Sequence, residues 1–317
     1  MQYTIRHITR FSYMGPIRES AMEVRLQPRS DRRQTCYSFE LRVDPAARVN
    51  SYIDDRGNVV HYFDIAASHE TLYLESRTLV DVSDPVLLSE GAETDSWEDL
   101  DAAVKEGDFW DDLNPSHFIR ETDLLVKLAD DLGASRRDSP IELVRKLSSG
   151  IYSGFEYRPL STHANSPIDD ALRDRAGVCQ DFAHILIALT RRLGIPSRYV
   201  SGYLFHRSDQ EDRSAEDASH AWTEVFLPSV GWLGVDPTNH IIAGDRHIVV
   251  AVGRDYADVP PTKGVFKGIG ASELQVGVRV APAKGDEAVD TVPKLATMPQ
   301  TPSPEQAAAF EQYQQQQ

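Results

Sequence analysis

From Tyr3 to about Val82 the chain keeps a period close to two: Tyr3-Ile5-His7, Met22-Val24-Leu26, Tyr37-Phe39-Leu41-Val43, Val59-His61-Phe63 and Leu72-Leu74 stand at alternate positions with polar neighbours between them. Successive side chains on a strand point to opposite faces, so this spacing buries one face of a sheet. A helix cannot use it. Asp54-Asp55-Arg56-Gly57-Asn58 supplies a turn between two such runs, and Asp44-Pro45 ends another. A small β-sandwich over residues 1–83 is the expected product.

The pattern changes after Ser83-Asp84-Pro85, where acidic segments with helical spacing begin. Ser139-Pro140-Ile141-Glu142 reads as a helix start, with Ser139 as cap and Pro140 in the first turn. β-like runs return from Ser197 onward, at Tyr199-Val200, Trp222-Val225, Trp232-Val235, Ile248-Val252 and Leu274-Val280. Helices followed by a sheet make an α+β domain, expected over 84–280. Beyond Val280 the composition turns to Ala, Pro, Lys and Gln and ends in four glutamines, so 281–317 is expected to be a disordered tail.

At 317 residues the chain can bury two ordinary cores without staples. Its 33 basic against 49 acidic residues give a net charge of −16, which repels phosphate backbones and anionic lipid heads. Neither nucleic acid nor a membrane is expected as a partner. No segment approaches the roughly 20 apolar residues of a membrane span, and MQYTIRHITRFSY lacks the apolar core of a signal peptide. Two distant cysteines, Cys36 and Cys179, do not make a disulfide scaffold. The expected location is cytoplasmic.

The stretch from Arg175 to His184, RAGVCQDFAH, places a glycine turn before Cys179 and runs into the apolar Ile185-Leu186-Ile187-Ala188-Leu189, stopping at Gly194-Ile195-Pro196. This is the pattern of a buried helix with Cys179 at its amino end. Unpaired N–H groups and the helix dipole favour a thiolate there, and they point at any oxyanion formed beside it. Taken alone, Cys179 also suits a small buried hydrophobe. Two later strand-like runs supply its company: His220 opens Ser219-His220-Ala221-Trp222, and Asp236 ends Gly231-Trp232-Leu233-Gly234-Val235-Asp236. A thiol on a helix, an imidazole on one strand and a carboxylate on the next form a papain-like layout, in which the carboxylate fixes the tautomer of the base. His220 as a structural histidine and Asp236 as a turn starter before Pro237 are the plain readings of each residue by itself.

In this order, GVCQDFAH, GIPSRYVSGYL, SHAWTEVFLP and GWLGVDPTN resemble the core of bacterial transglutaminase-like proteins. The amino-terminal YTIRHITRFSYMGPIRESAMEVRLQPR resembles the β-domain that precedes that core, and GRDYADVPPTKGVFKG the segment that follows it. The resemblance implies a transglutaminase-like, papain-like fold and a Cys–His–Asp thiol enzyme acting through a thioester on a peptide or protein amide, with Cys179, His220 and Asp236 on the triad positions. Transfer to an amine, hydrolysis by a peptidase of the same fold, and an inactive binding or scaffold protein all remain open. Tyr157, Gln180 and Trp222 are the candidates for oxyanion donor or cleft wall. Asp181 suits a helix first turn.

Metal and nucleotide chemistry find no support in the motifs. His184 stands five residues after Cys179, a spacing foreign to zinc sites, and no acidic loop has the ligand spacing of an EF-hand. Gly264–Gly270 suggests a phosphate loop but lacks its Gly-Lys-Ser/Thr ending, and is expected to be a loop near the cleft. No metal and no cofactor are expected.

Overall fold

A computed structural model describes residues 1–83, 95–268, 272–283 and 292–298. The amino-terminal alternation becomes β1 (Gln2–Val24), β2 (Gln34–Asp44), β3 (Asn50–Ile53), β4 (Val59–Ile65) and β5 (His69–Val82). β1 serves both layers of a sandwich. Its first half pairs with β5, from Gln2 opposite Asp81 to Ser12 opposite Thr71, and its second half pairs with β4, from Ser20 opposite Ile65 to Val24 opposite His61. The register shifts between Ser12 and Ile17, where an irregularity lets a strand change layers. Phe11, Met22, Val24, Phe63, Leu72 and Leu74 fill the space between the layers. The expected turn is built by Asp54, whose Oδ1 accepts from the backbone N–H of Arg56 (3.0 Å) and Asn58 (2.8 Å), with Gly57 at φ +78°.

The second region contributes α1 (Trp97–Glu106), α2 (Trp110–Leu113), α3 (Asp123–Asp131), α4 (Pro140–Gly154), β6 (Glu156–Tyr157), α5 (Ile168–Asp174), β7 (Ala176–Gly177) and α6 (Cys179–Arg192). α4 begins as its sequence predicts: Pro140 is its first residue, and Glu142 Oε2 accepts from the Ser139 backbone N–H at 3.2 Å. α6 is covered on nearly every side, with Phe182, Ala183, Ile185, Leu186, Ile187 and Leu189 fully buried. It ends at Gly194, whose φ of +80° few other residues adopt. Arg191 pins that end by donating to the carbonyls of Asn114 and Arg254 (both 2.8 Å) and, through Nε and Nη2, of Ser197 (3.0 and 2.8 Å).

Against α6 lies an antiparallel sheet of β8 (Ser197–Leu204), β9 (His220–Leu227), β10 (Gly231–Asp236), β11 (Ile241–Ile242) and β12 (His247–Gly253), in the order β11-β10-β9-β8-β12. Thr223 Oγ1 donates to the Ala183 carbonyl at 3.1 Å, tying β9 to the helix.

β13 (Thr262–Lys267) and β14 (Ser272–Pro282) depart from expectation. Both were expected with the catalytic region. Instead β14 pairs with the first half of β1, from Tyr3 opposite Pro282 to Tyr13 opposite Ser272, and β13 pairs with its second half. Residues expected as a cleft loop, Gly264 to Lys267, are therefore strand. Periodicity specifies which face of a strand is buried, not which edge it joins. A further strand, β15 (Ala296–Met298), pairs with β14, so part of the expected tail is ordered as sheet; 284–291 and 299–317 lie outside the described residues, as does the acidic segment 84–94.

The two regions are locked together at β12, an outer strand of its sheet. Gln34 donates Nε2–H to the Val249 carbonyl (2.7 Å) and accepts the Val249 N–H at Oε1 (2.8 Å). Asn58 does the same for Val252, with both bonds at 2.8 Å. His7 meets the Tyr203 hydroxyl at 2.9 Å, and Arg33 pairs with the buried Glu224, which Arg198 also holds at 2.7 Å. Among the described residues no helix is long and apolar enough to cross a membrane.

Candidate active site

Cys179 is the first residue of α6 and is half-buried. The turn before it is held from the helix side. Asp181, in the first helical turn, accepts the Val178 N–H (2.8 Å) and the Thr162 hydroxyl (2.6 Å) at Oδ2, as its cap reading predicts. A Cβ on Gly177 would stand 2.8 Å from that same oxygen, so only glycine fits there. With Asp181 occupied on the turn, the backbone N–H groups of Cys179 and Gln180 retain no intrahelical acceptor.

His220 is the first residue of β9 and Asp236 the last of β10, and both are buried. His220 Nε2 lies 2.8 Å from Asp236 Oδ2. The ring's other nitrogen, Nδ1, has no hydrogen-bond partner among the described residues and is the one left for Cys179. Burial alone would lower the His220 pKa, but the Asp236 carboxylate, by charge and hydrogen bond, and the Cys179 sulfur outweigh it and raise it to about 10. Asp236 answers in kind: burial is overcome by His220 and by a hydrogen bond from His247, which hold its carboxyl well below the usual carboxylate range. The chain thus brings together, at the ends of three separate elements, the three residues that the sequence singles out.

Residues 127–237 match the model of the transglutaminase-like superfamily, and residues 3–81 that of the bacterial transglutaminase-like N-terminal region. An uncharacterized protein of Mycobacterium tuberculosis is 38% identical over 299 residues, which is 90% of this chain and 94% of the relative. The chain belongs to the transglutaminase-like superfamily. A solved Cytophaga hutchinsonii structure shares the fold, with a TM-score of 0.72 at 21% identity, covering 94% of this chain and 98% of that one. Over 129 residues, 36% of this chain and 18% of the relative, this transglutaminase-like protein is 32% identical to a Pseudomonas aeruginosa protein-glutamine gamma-glutamyltransferase.

The other candidates of this family member fall in different places. Tyr157, on β6, is close enough to Cys179 to feel its charge; burial first, and that charge second, push its phenol pKa up, and the Ala215 backbone is its hydrogen-bond partner. Gln180 uses its side chain to hold a loop, donating to the Ala164 carbonyl at 2.9 Å. Trp222, expected as cleft wall or core, is 1% exposed and lies two residues along the strand from His220, with ring centroids 5.9 Å apart. Gly202 and Gly234 make room for it: a Cβ on Gly202 would sit 2.7 Å from its ring, and one on Gly234 3.3 Å from its Nε1. His184 is structural: it accepts the Tyr256 N–H at 3.2 Å, and burial lowers its pKa to about 3.

Two residues of the site escaped the sequence reading. Asn239 donates Nδ2–H to Asp236 Oδ2 (2.8 Å) while its Oδ1 accepts from the Arg213 N–H (2.8 Å), joining the carboxylate to the loop after β8. His247 places Nε2 3.3 Å from the same Oδ2. The signal was present: His247, like His220, is a histidine that opens an apolar run. The side-chain donor atoms of His220, Asp236 and His247 lie within 4.8 Å of one another, and hydrogen bonds to Asp236 account for that convergence.

Proposed function

We propose that the protein is a thiol acyl-transfer enzyme acting on peptide or protein amides, with Cys179 as nucleophile, His220 as its base and Asp236 as the group that orients the base. The observation that carries this reading is the one-sided engagement of His220, bonded to Asp236 through Nε2 and open at Nδ1 beside a half-buried thiol. His61 also leaves a buried Nδ1 unpaired, so the unpaired nitrogen alone decides nothing; what singles out His220 is that the Cys179 sulfur acts on the same ring that Asp236 holds.

In the proposed cycle the Cys179 sulfur attacks the amide carbon and the carbonyl oxygen becomes an oxyanion, faced by the free N–H groups at the start of α6 and within range of Tyr157. The C–N bond then breaks, and His220 Nδ1–H gives its proton to the departing amine. A thioester remains on Cys179. Water or a second amine attacks it, His220 Nδ1 takes the attacker's proton, and the thiolate leaves. Throughout, Asp236 keeps Nε2–H donating to itself, so that Nδ1 is the nitrogen that exchanges the proton. The transferase name of the Pseudomonas relative favours an amine as acceptor and a glutamine side chain as donor.

Incubation with a glutamine-containing casein and a fluorescent amine, with ammonia release followed in parallel, tests the reading. Ammonia with fluorescent casein supports transfer, and ammonia without it supports hydrolysis. Peptide-bond cleavage without ammonia points to a peptidase of the same chemistry. Activity is expected to survive EDTA; a loss restored only by zinc or calcium would show that the mechanism lacks an essential ion.

A further inference from the structure

We infer that His247 is a positioning residue of this site, donating Nε2–H to Asp236 so that the carboxylate stays turned toward His220; the inference rests on the Cys179–His220–Asp236 reading above. Its tautomer is fixed by geometry. The Gly244 backbone N–H donates to His247 Nδ1 at 3.2 Å, so Nδ1 is the acceptor and the ring proton sits on Nε2. That proton points at Asp236 Oδ2, 3.3 Å away.

Asp236 has no exposed surface, and each of its oxygens is shared. Oδ1 accepts the backbone N–H groups of Thr238 (2.9 Å) and Asn239 (3.2 Å). Oδ2 accepts from His220, from Asn239 Nδ2 and from His247. An oxygen shared by three donors has its direction set by all of them, so without His247 the pull on Oδ2 comes from His220 and Asn239 alone and its angle to the His220 ring shifts, while Oδ1 stays held by the backbone. An apolar side chain could fill the volume of His247, but it could not hold the oxygen.

The charged groups that act most strongly on His247 are Asp236 on β10, His220 on β9 and the adjacent Arg246. His247 also lines a small cleft of about 30 Å³, to which Asp31, Arg33 and Glu224 contribute. His247 itself is placed by β12, two residues before Val249, where Gln34 grips the strand edge. The β-domain therefore holds the strand that holds the carboxylate.

The experiment compares wild type with His247→Leu, which removes the donor, and His247→Gln, which keeps an N–H of similar reach. The rate of Cys179 alkylation by iodoacetamide is read against pH by peptide mapping, and turnover of casein with a fluorescent amine gives kcat and KM. With His247→Leu the rise of alkylation with pH is expected to move to higher pH, because a misdirected carboxylate supports the His220 imidazolium less and the imidazolium in turn stabilises the Cys179 thiolate less, and kcat to fall about 10- to 100-fold at unchanged KM. His247→Gln should recover most of both. If His247→Leu does not fold by circular dichroism, His247→Asn, whose amide is too short to reach, replaces it with the same expected shift. A folded donor-less variant whose profile superimposes on wild type overturns the positioning role. His220→Ala, run alongside, separates the two readings: an unchanged profile there overturns the triad itself, whereas a rise moved to higher pH there, with no shift in the His247 variants, overturns the positioning role alone.

Discussion

In the proposed cycle His220 receives a proton and later returns it, whereas Asp236 only steers the ring, so their removal should have unequal effects. Cys179→Ala and His220→Ala are both expected to fall to background turnover, while Asp236→Asn keeps a measurable remainder. Residues that act as a unit do not add, so His220→Ala combined with Asp236→Asn should match His220→Ala alone, provided circular dichroism shows each variant folded. His220→Ala retaining most of the rate would send the search for a base elsewhere. The two thiols offer a second test at this scale. Burial pushes the Cys36 thiol pKa up, and its Sγ donates to the Ser38 carbonyl at 3.5 Å, whereas Cys179 stands at a helix start beside a charged imidazole. Iodoacetamide at neutral pH should label Cys179 well before Cys36, and equal labelling would contradict the assignment. Cys179, His220 and Asp236 were legible in the sequence because each begins or ends an element, and the residues around each announce that element. His247 shows the same sign, a histidine opening an apolar run, but its role is a distance to Asp236 that exists only after the strands are ordered side by side, whereas Asn239 bonds Asp236 within the turn that follows β10 and its part there is local.

Strand β12 shows how much of an element's stability is supplied from outside it. A strand at the edge of a sheet normally leaves N–H and C=O groups to water or to another chain. Here the side chains of Gln34, at the start of β2, and Asn58, in the turn before β4, imitate a neighbouring strand at Val249 and Val252. Asn58→Ala would leave the Val252 N–H and C=O without partners in a buried setting, and unfolding in urea should show a loss of about 3 kcal/mol. A midpoint unchanged from wild type would mean that water replaces the amide at no penalty. At this scale the sequence was informative about α6 and β9, whose apolar runs are long and bounded by capping or turn residues. It was misleading about β13 and β14. Their alternation is genuine, but strands of like pattern are interchangeable until the chain has chosen an edge, and proximity in sequence to β12 suggested the wrong sheet.

For the molecule as a whole, buried histidines set the pH range of stability. Burial lowers His7 to about 4 and His184 to about 3, below the 6.5 of an exposed imidazole, so the unfolded chain binds protons that the native protein refuses. Stability should therefore fall as pH drops below about 6.5 and continue falling until about 4 and about 3. His220 has the opposite sign. Raised to about 10, it adds stability that is fully present below 6.5 and is lost as pH rises through about 10. Urea midpoints across this range should trace a dome, and a flat acid arm would show that His7 and His184 are protonated in the native state. The sandwich also has a history written into its pairing. β13 and β14, which pair along β1's other side, follow it by about 240 residues in the same chain. Until they arrive, the nascent protein carries a long strand with one side open, while the segment bearing Cys179, His220 and Asp236 has already emerged. Strands that follow the helical region in sequence complete the sheets that β1 begins.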